Sequence, residues 1–135
     1  MAQKTRNQEL AEKVYEQVIK WKDNSETNTK AYGGMCHKLP ILIRSAGLAQ
    51  ALAFVDTRNK DKTPQKEVLV DLARVLGKEK DTFLNEVRTM PLSEYIYVTR
   101  QSLLALNWFK RFAVSILHVE ANSNTDGEGE QSDGK

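Results

Sequence analysis

The chain has 135 residues, 28% of them charged, with a formal net charge of +2, three Pro, seven Gly and a single cysteine. That length suits one domain folding without metals or disulfides, and a lone Cys36 excludes an intrachain disulfide and fits a reducing cytoplasm. No apolar run approaches the roughly 20 residues that span a bilayer, and MAQKTRNQEL lacks the apolar stretch of a signal peptide, so membrane and secreted classes are set aside.

Residues 6–22 predict a first helix. Leu10, Val14, Val18 and Trp21 recur at spacings of four, four and three, with Ala11 and Tyr15 widening the stripe. Glu9, Glu12, Lys13 and Glu16 fall mostly on the other face. The polar run 23–29 reads as a loop, with Thr29 or a neighbour opening the next helix. Pro40 cannot donate an amide hydrogen bond and is expected to kink or break a helix near Leu39. The Gly33-Gly34 pair suits a close helix approach or a bend, and Gly47 a second boundary. Leu48, Leu52 and Val55 predict a short buried helix.

Thr63-Pro64 is a strong helix start, an N-cap followed by Pro at the first helical position. Val68, Leu69, Leu72, Val75 and Leu76 then share one face, and Gly77 suits the C-terminal cap. A short helix from about Asp81 to Arg88 leads into Met90-Pro91. The last helix, roughly 92–118, has a predicted core stripe of Leu92, Ile96, Thr99, Leu103, Leu106, Phe109, Ala113 and Ile116. After Val119 there is no large apolar residue, so a disordered tail is expected. Residues 119–135 carry five acids and one base, a net of −4, leaving 19 bases against 13 acids, a net of +6, on the rest. The fold class is therefore all-α: one compact bundle of five to six helices over residues 1–118, then an acidic tail over 119–135. A basic body with an acidic tail hints at a polyanionic partner.

Chemistry has few places to reside. Two histidines and one cysteine, with Cys36 and His37 adjacent, supply no metal-ligand spacing, so neither a metal nor another cofactor is expected. A lone Cys on a buried helix reads as a small apolar filler, and His37 as a polar face residue. The Gly33-Gly34 pair lacks the frame of a phosphate loop. Arg111 and His118, with six residues between them, fit the spacing of helical ribonucleases of the HEPN type, although Phe112 stands where that pattern usually has a polar residue. The stronger signal is basic. Arg100, Asn107 and Arg111 are seven and four apart and share one helix face, with Lys110 beside them and Tyr97, Leu104 and Trp108 alongside. Planar guanidinium forks and Lys point charges hold phosphate backbones. The plainer alternative makes Trp108 core and the two arginines solvated charges. Over residues 30–55, Lys30, Lys38 and Arg44 stand with no acid at all.

These two stretches also carry a resemblance. The segment Tyr32-Gly-Gly-Met-Cys-His-Lys-Leu-Pro-Ile-Leu-Ile-Arg-Ser-Ala-Gly-Leu-Ala-Gln-Ala-Leu-Ala-Phe54 resembles the signature of the small subunit of type III-B (Cmr) CRISPR effector complexes, and Thr99-Arg100 with Leu106 to Val114 resembles its C-terminal helix. The resemblance covers roughly residues 5–120. It implies a compact helical bundle with no active site of its own and no cofactor. Several copies would stack beside a filament of backbone subunits, with the large subunit in the same assembly, and enclose guide RNA and target RNA in a basic channel. The family's basic positions correspond to Lys38, Arg100, Lys110 and Arg111, with Arg44 as a further candidate. Protein contacts in such a channel would read backbone and shape, while base pairing supplies specificity. The alternatives are a ribonuclease using Arg111 and His118, and a helical adaptor without RNA affinity.

Overall fold

A computed structural model describes residues 4–121, and among them there are six α-helices and no strand. Helix α1 spans Arg6–Val18 and runs on into a 3-10 turn, Ile19–Trp21. It opens on a capping box in which the Thr5 hydroxyl accepts from the Gln8 amide while the Gln8 side chain accepts from the Thr5 amide. Leu10, Val14 and Val18 are buried, as their spacing predicts.

Helix α2 spans Glu26–Ala46 and differs from expectation at two points. It starts before Thr29, because Ser25 caps it by accepting from the Asn28 amide at 3.1 Å. Thr29 instead donates its hydroxyl to the Trp21 carbonyl. The helix also runs unbroken through Pro40. An internal Pro costs a helix about 3 kcal/mol. Here the flanking turns are pinned by full burial of Cys36, Leu39 and Ile43 against α3, α4 and α6, and tertiary packing outweighs the local penalty.

Gly47 closes α2 and precedes α3 (Leu48–Arg58) in a backbone conformation, φ +91°, that suits glycine. Helix α4 (Pro64–Val75) begins at the Thr63 cap with Pro64 in its first turn. It ends in a Schellman arrangement: Gly77 has φ +81°, and the Lys78 amide donates to the Ala73 carbonyl at 2.8 Å. Helix α5 (Lys80–Thr89) stops at Met90, which is extended before Pro91. Asp56 of α3 ties α4 and α5 to it through Lys66 at 3.3 Å and Lys80 at 2.8 Å.

Helix α6, Leu92–Ser115, corrects the predicted stripe in its first half. Leu92 is 72% and Ile96 50% exposed, while Leu106, Phe109 and Ala113 are buried. The reason is reach. Arg6, at the start of α1, hydrogen-bonds Gln101, so α6 residues before that level extend past the end of α1. The chain then turns back, and Leu117 and Val119 are buried. Residues 122–135, on which the remaining expectation of disorder falls, lie outside the described residues.

A polar knot sits inside the core. The buried Tyr32 hydroxyl donates to Asp71 Oδ2 at 2.6 Å, and Arg74 and Lys20 approach the other oxygen at 3.3 and 3.7 Å. Burial pushes the Asp71 carboxyl above its ordinary 3.8, and the bond from Tyr32 and the nearby charges only partly oppose it. A folded-state value above the unfolded one favours folding below about pH 3.8, and that contribution fades as pH rises through the folded value. Asp71→Asn should therefore cost less stability at pH 7 than at pH 4 in urea unfolding. An identical cost at both pH values would show that this carboxyl does not titrate in the expected sense.

Candidate nucleic-acid interface

Helices α2 and α6 run antiparallel. At one end the Tyr95 hydroxyl accepts from the Ala49 amide just beyond Gly47, and at the other Val119 packs on Gly33. Neither partner strip contains an acid: there is no Asp or Glu from Thr27 to Val55 or from Tyr95 to Val119. Helical spacing puts Arg100, Asn107 and Lys110, with Arg111 adjacent, on one side of α6. On the α2 side His37, Ile41 and Arg44 follow at steps of four and three.

The groove deepens at one end into an open hollow of about 550 Å³, where His37, Asn107, Lys110, Arg111 and Ala121 come together. Arg111 is positioned by an aromatic column. Its guanidinium carbon lies 6.0 Å from the centre of the Trp108 ring, which stacks on Phe112 at 5.5 Å. Phe112 meets Tyr15 of α1 edge-on, and the Trp108 indole donates to Asn7 at 3.0 Å. Trp108 is therefore half-buried scaffolding with its donor committed, and the cationic tip above it is what faces outward.

On the α3–α4–α5 side Lys66 and Lys80 share Asp56, and near the core Lys20 and Arg74 approach Asp71. Among the described residues Arg44, Arg100, Lys110 and Arg111 make no ion pair. Unneutralised cations on an acid-free groove produce a local positive potential that a phosphate backbone would match.

The five sequence candidates do not form one cluster. Lys110 and Arg111 share the hollow, whereas Arg100 and Arg44 lie outside it, Arg100 seven residues before Asn107 on α6 and Arg44 seven after His37 on α2. Lys38 is one residue round α2 from His37 and lines a separate hollow of about 390 Å³ towards α3, with Met35, Phe54, Arg58 and Gln65. Arg58 reads in the sequence as part of a solvated loop; it is the last residue of α3, its guanidinium 5.3 Å from the Phe54 ring centre. An Arg four residues after an aromatic on a helix was the available signal. His37 was the other miss. It is buried, and its Nε2 donates to the Val119 carbonyl at 2.9 Å.

Catalytic alternatives lose their geometry. Helix α6 ends at Ser115, and His118 sits beyond it with φ +61°, so Arg111 and His118 are not on one continuous helix. Burial, and secondarily the Asp71 charge, push the Cys36 thiol well above its usual range, which keeps it protonated. Among the described residues no group of three His, Cys, Asp or Glu side chains could hold a metal, and no helix is long and apolar enough to cross a membrane.

Family, sequence and structure comparisons agree. The model of the CRISPR-associated protein (Cas_Cmr5) family matches residues 6–116. The CRISPR system Cmr subunit Cmr5 of Thermus thermophilus is 42% identical over a 118-residue alignment that covers 84% of this chain and 97% of that protein. The crystal structure of a CRISPR-associated Cmr5 family protein from Thermus thermophilus superposes with a TM-score of 0.77 at 41% identity, covering 84% of this chain and 98% of that one.

Proposed function

The chain belongs to the Cas_Cmr5 family of CRISPR-associated proteins, and from that premise we propose that it is a non-catalytic small subunit of a type III-B CRISPR ribonucleoprotein complex. In this reading a few copies stack along the filament of backbone subunits, beside the large subunit, and line the basic channel that holds guide RNA and target RNA. The complex works in the cytoplasm in antiviral defence. Lys38, Arg44, Arg100, Lys110 and Arg111 are the RNA-contacting residues, and they hold phosphates without reading bases.

One observation carries the proposal: Lys110 and Arg111 share one hollow between two helix strips that contain no acid, and among the described residues neither makes an ion pair. A surface kept unpaired in this way is matched by a polyanion. Each copy offers few phosphate contacts, so strong binding is expected only after several copies line up on one RNA.

The direct test is purification of the tagged protein from its native host, with mass spectrometry of its partners and sequencing of bound RNA. Recovery of backbone and large CRISPR subunits with short guide RNAs is the expected result. Recovery of the chain alone, with RNA cleavage that disappears on His118→Ala, would overturn the reading in favour of a nuclease.

A further inference from the structure

Beyond α6 the chain reverses through His118, and Val119 is clamped: its amide donates to the Ala113 carbonyl at 2.8 Å and its carbonyl accepts from His37 at 2.9 Å. Its side chain fills the space above Gly33, where an added Cβ would meet Val119 atoms at 2.6 to 2.8 Å. Two residues later Ala121 forms part of the wall of the hollow that holds Lys110 and Arg111. The clamp therefore delivers the rest of the chain to the mouth of the basic hollow.

The sequence beyond Ala121 is acidic. Residues 122–135 carry Asp126, Glu128, Glu130 and Asp133 against Lys135 alone, a net of −3, and Glu120 just before them is exposed. Asp126 is five residues from Ala121, a reach of up to about 17 Å, and Asp133 twelve residues, up to about 40 Å. Tethering at that distance gives an effective concentration in the millimolar range. The segment has no large apolar residue with which to build a core of its own, while the nearest concave surface presents cations that make no ion pair among the described residues.

We propose that segment 122–135 is an intramolecular competitor for the α2–α6 groove, its carboxylates occupying the Lys110–Arg111 hollow whenever no RNA lies there. The inference rests on the basic groove of the proposed function and adds a regulator to it. The competitor makes the free subunit a poor binder of stray polyanions. An RNA held by several aligned copies displaces the segment, because many phosphate contacts then act together against a single tethered arm.

Three proteins test this: the full chain, a chain ending at Ala121, and a full chain carrying Asp126→Asn, Glu128→Gln, Glu130→Gln and Asp133→Asn. The truncation keeps the Val119 clamp, and the neutralised chain keeps the length. Lys110 acylation rates are read by mass spectrometry, and affinity for a short RNA duplex by fluorescence anisotropy. At low salt both altered proteins should label Lys110 about three-fold faster or more and bind RNA about ten-fold tighter than the full chain. The labelling gap should close near 1 M salt, where screening shortens to about 3 Å. Equal Lys110 rates in all three proteins overturn the inference. So does a rate that rises on truncation but not on neutralisation, since bulk and not charge would then cover the hollow. Lys110 rates that shift as expected, with no RNA binding by any of the three proteins, leave the inference standing and remove the RNA reading of the groove.

Discussion

Changing Lys110 and Arg111 together to Glu should weaken RNA retention by a reconstituted complex about 100-fold near 0.1 M salt. Each residue is placed to give one charge-assisted phosphate contact, and such contacts contribute about 1.5–3 kcal/mol apiece. Taking about 1.4 kcal/mol as a conservative figure for each gives the 100-fold loss. The slope of log affinity against log salt should fall by about two per subunit, because two counterion-releasing contacts are gone. The fold should survive, since Arg111 is exposed, Lys110 half-buried, and neither makes an ion pair among the described residues. Circular dichroism checks this. The matched control is Lys60→Glu with Lys62→Glu, the same charge change at exposed positions off the groove. Equal losses from the two pairs would mean that net charge and not this hollow governs RNA retention.

Gly33→Ala should lower stability by about 2 kcal/mol, although alanine is ordinarily the better helix former by about 1 kcal/mol. Position 33 lies within α2, so local propensity favours the substitution. Against it stands Val119, whose Cβ would be 2.6 Å from the new methyl. That carbon cannot rotate away. It hangs on a backbone fixed by Ala113 on one side and His37 on the other. Accommodation must break one of those bonds or lift buried Val119 and Leu117 from the core. Val119→Gly alone should cost about 2 kcal/mol through lost burial, and in that background Gly33→Ala should become neutral or stabilising. Urea unfolding of the four proteins gives the coupling. Strict additivity would show that the two residues do not meet.

How far the fold was legible depended on the range of the interactions involved. Helices α1 and α4 were readable almost to the residue. Their signals are local: the apolar stripe from Leu10 to Val18, the Thr63-Pro64 start and the Gly77 cap all act within a few positions. Pro40 did not break the helix, because its penalty is local too, and nothing in its neighbours announces that three helices will pack against α2 on either side of it. Leu92 and Ile96 carry the same periodicity as Leu103 and Leu106. They stay exposed because α1 begins only at the level of Gln101.

The candidate site divides along the same line. Composition and helical spacing by themselves determined an all-α chain, an acid-poor α2, and a basic face on α6 bearing Arg100, Lys110 and Arg111. Those properties depend on residue type and on the 3.6-residue repeat, and both are written in the chain. Only the tertiary structure decided that Lys110 and Arg111 meet His37 in one hollow while Lys38 turns towards Arg58. It also decided that Val119 folds back over Gly33 and that Ala121 forms part of that hollow's wall. These are contacts between residues up to 86 positions apart, set by which helix covers which, and no local pattern encodes that choice.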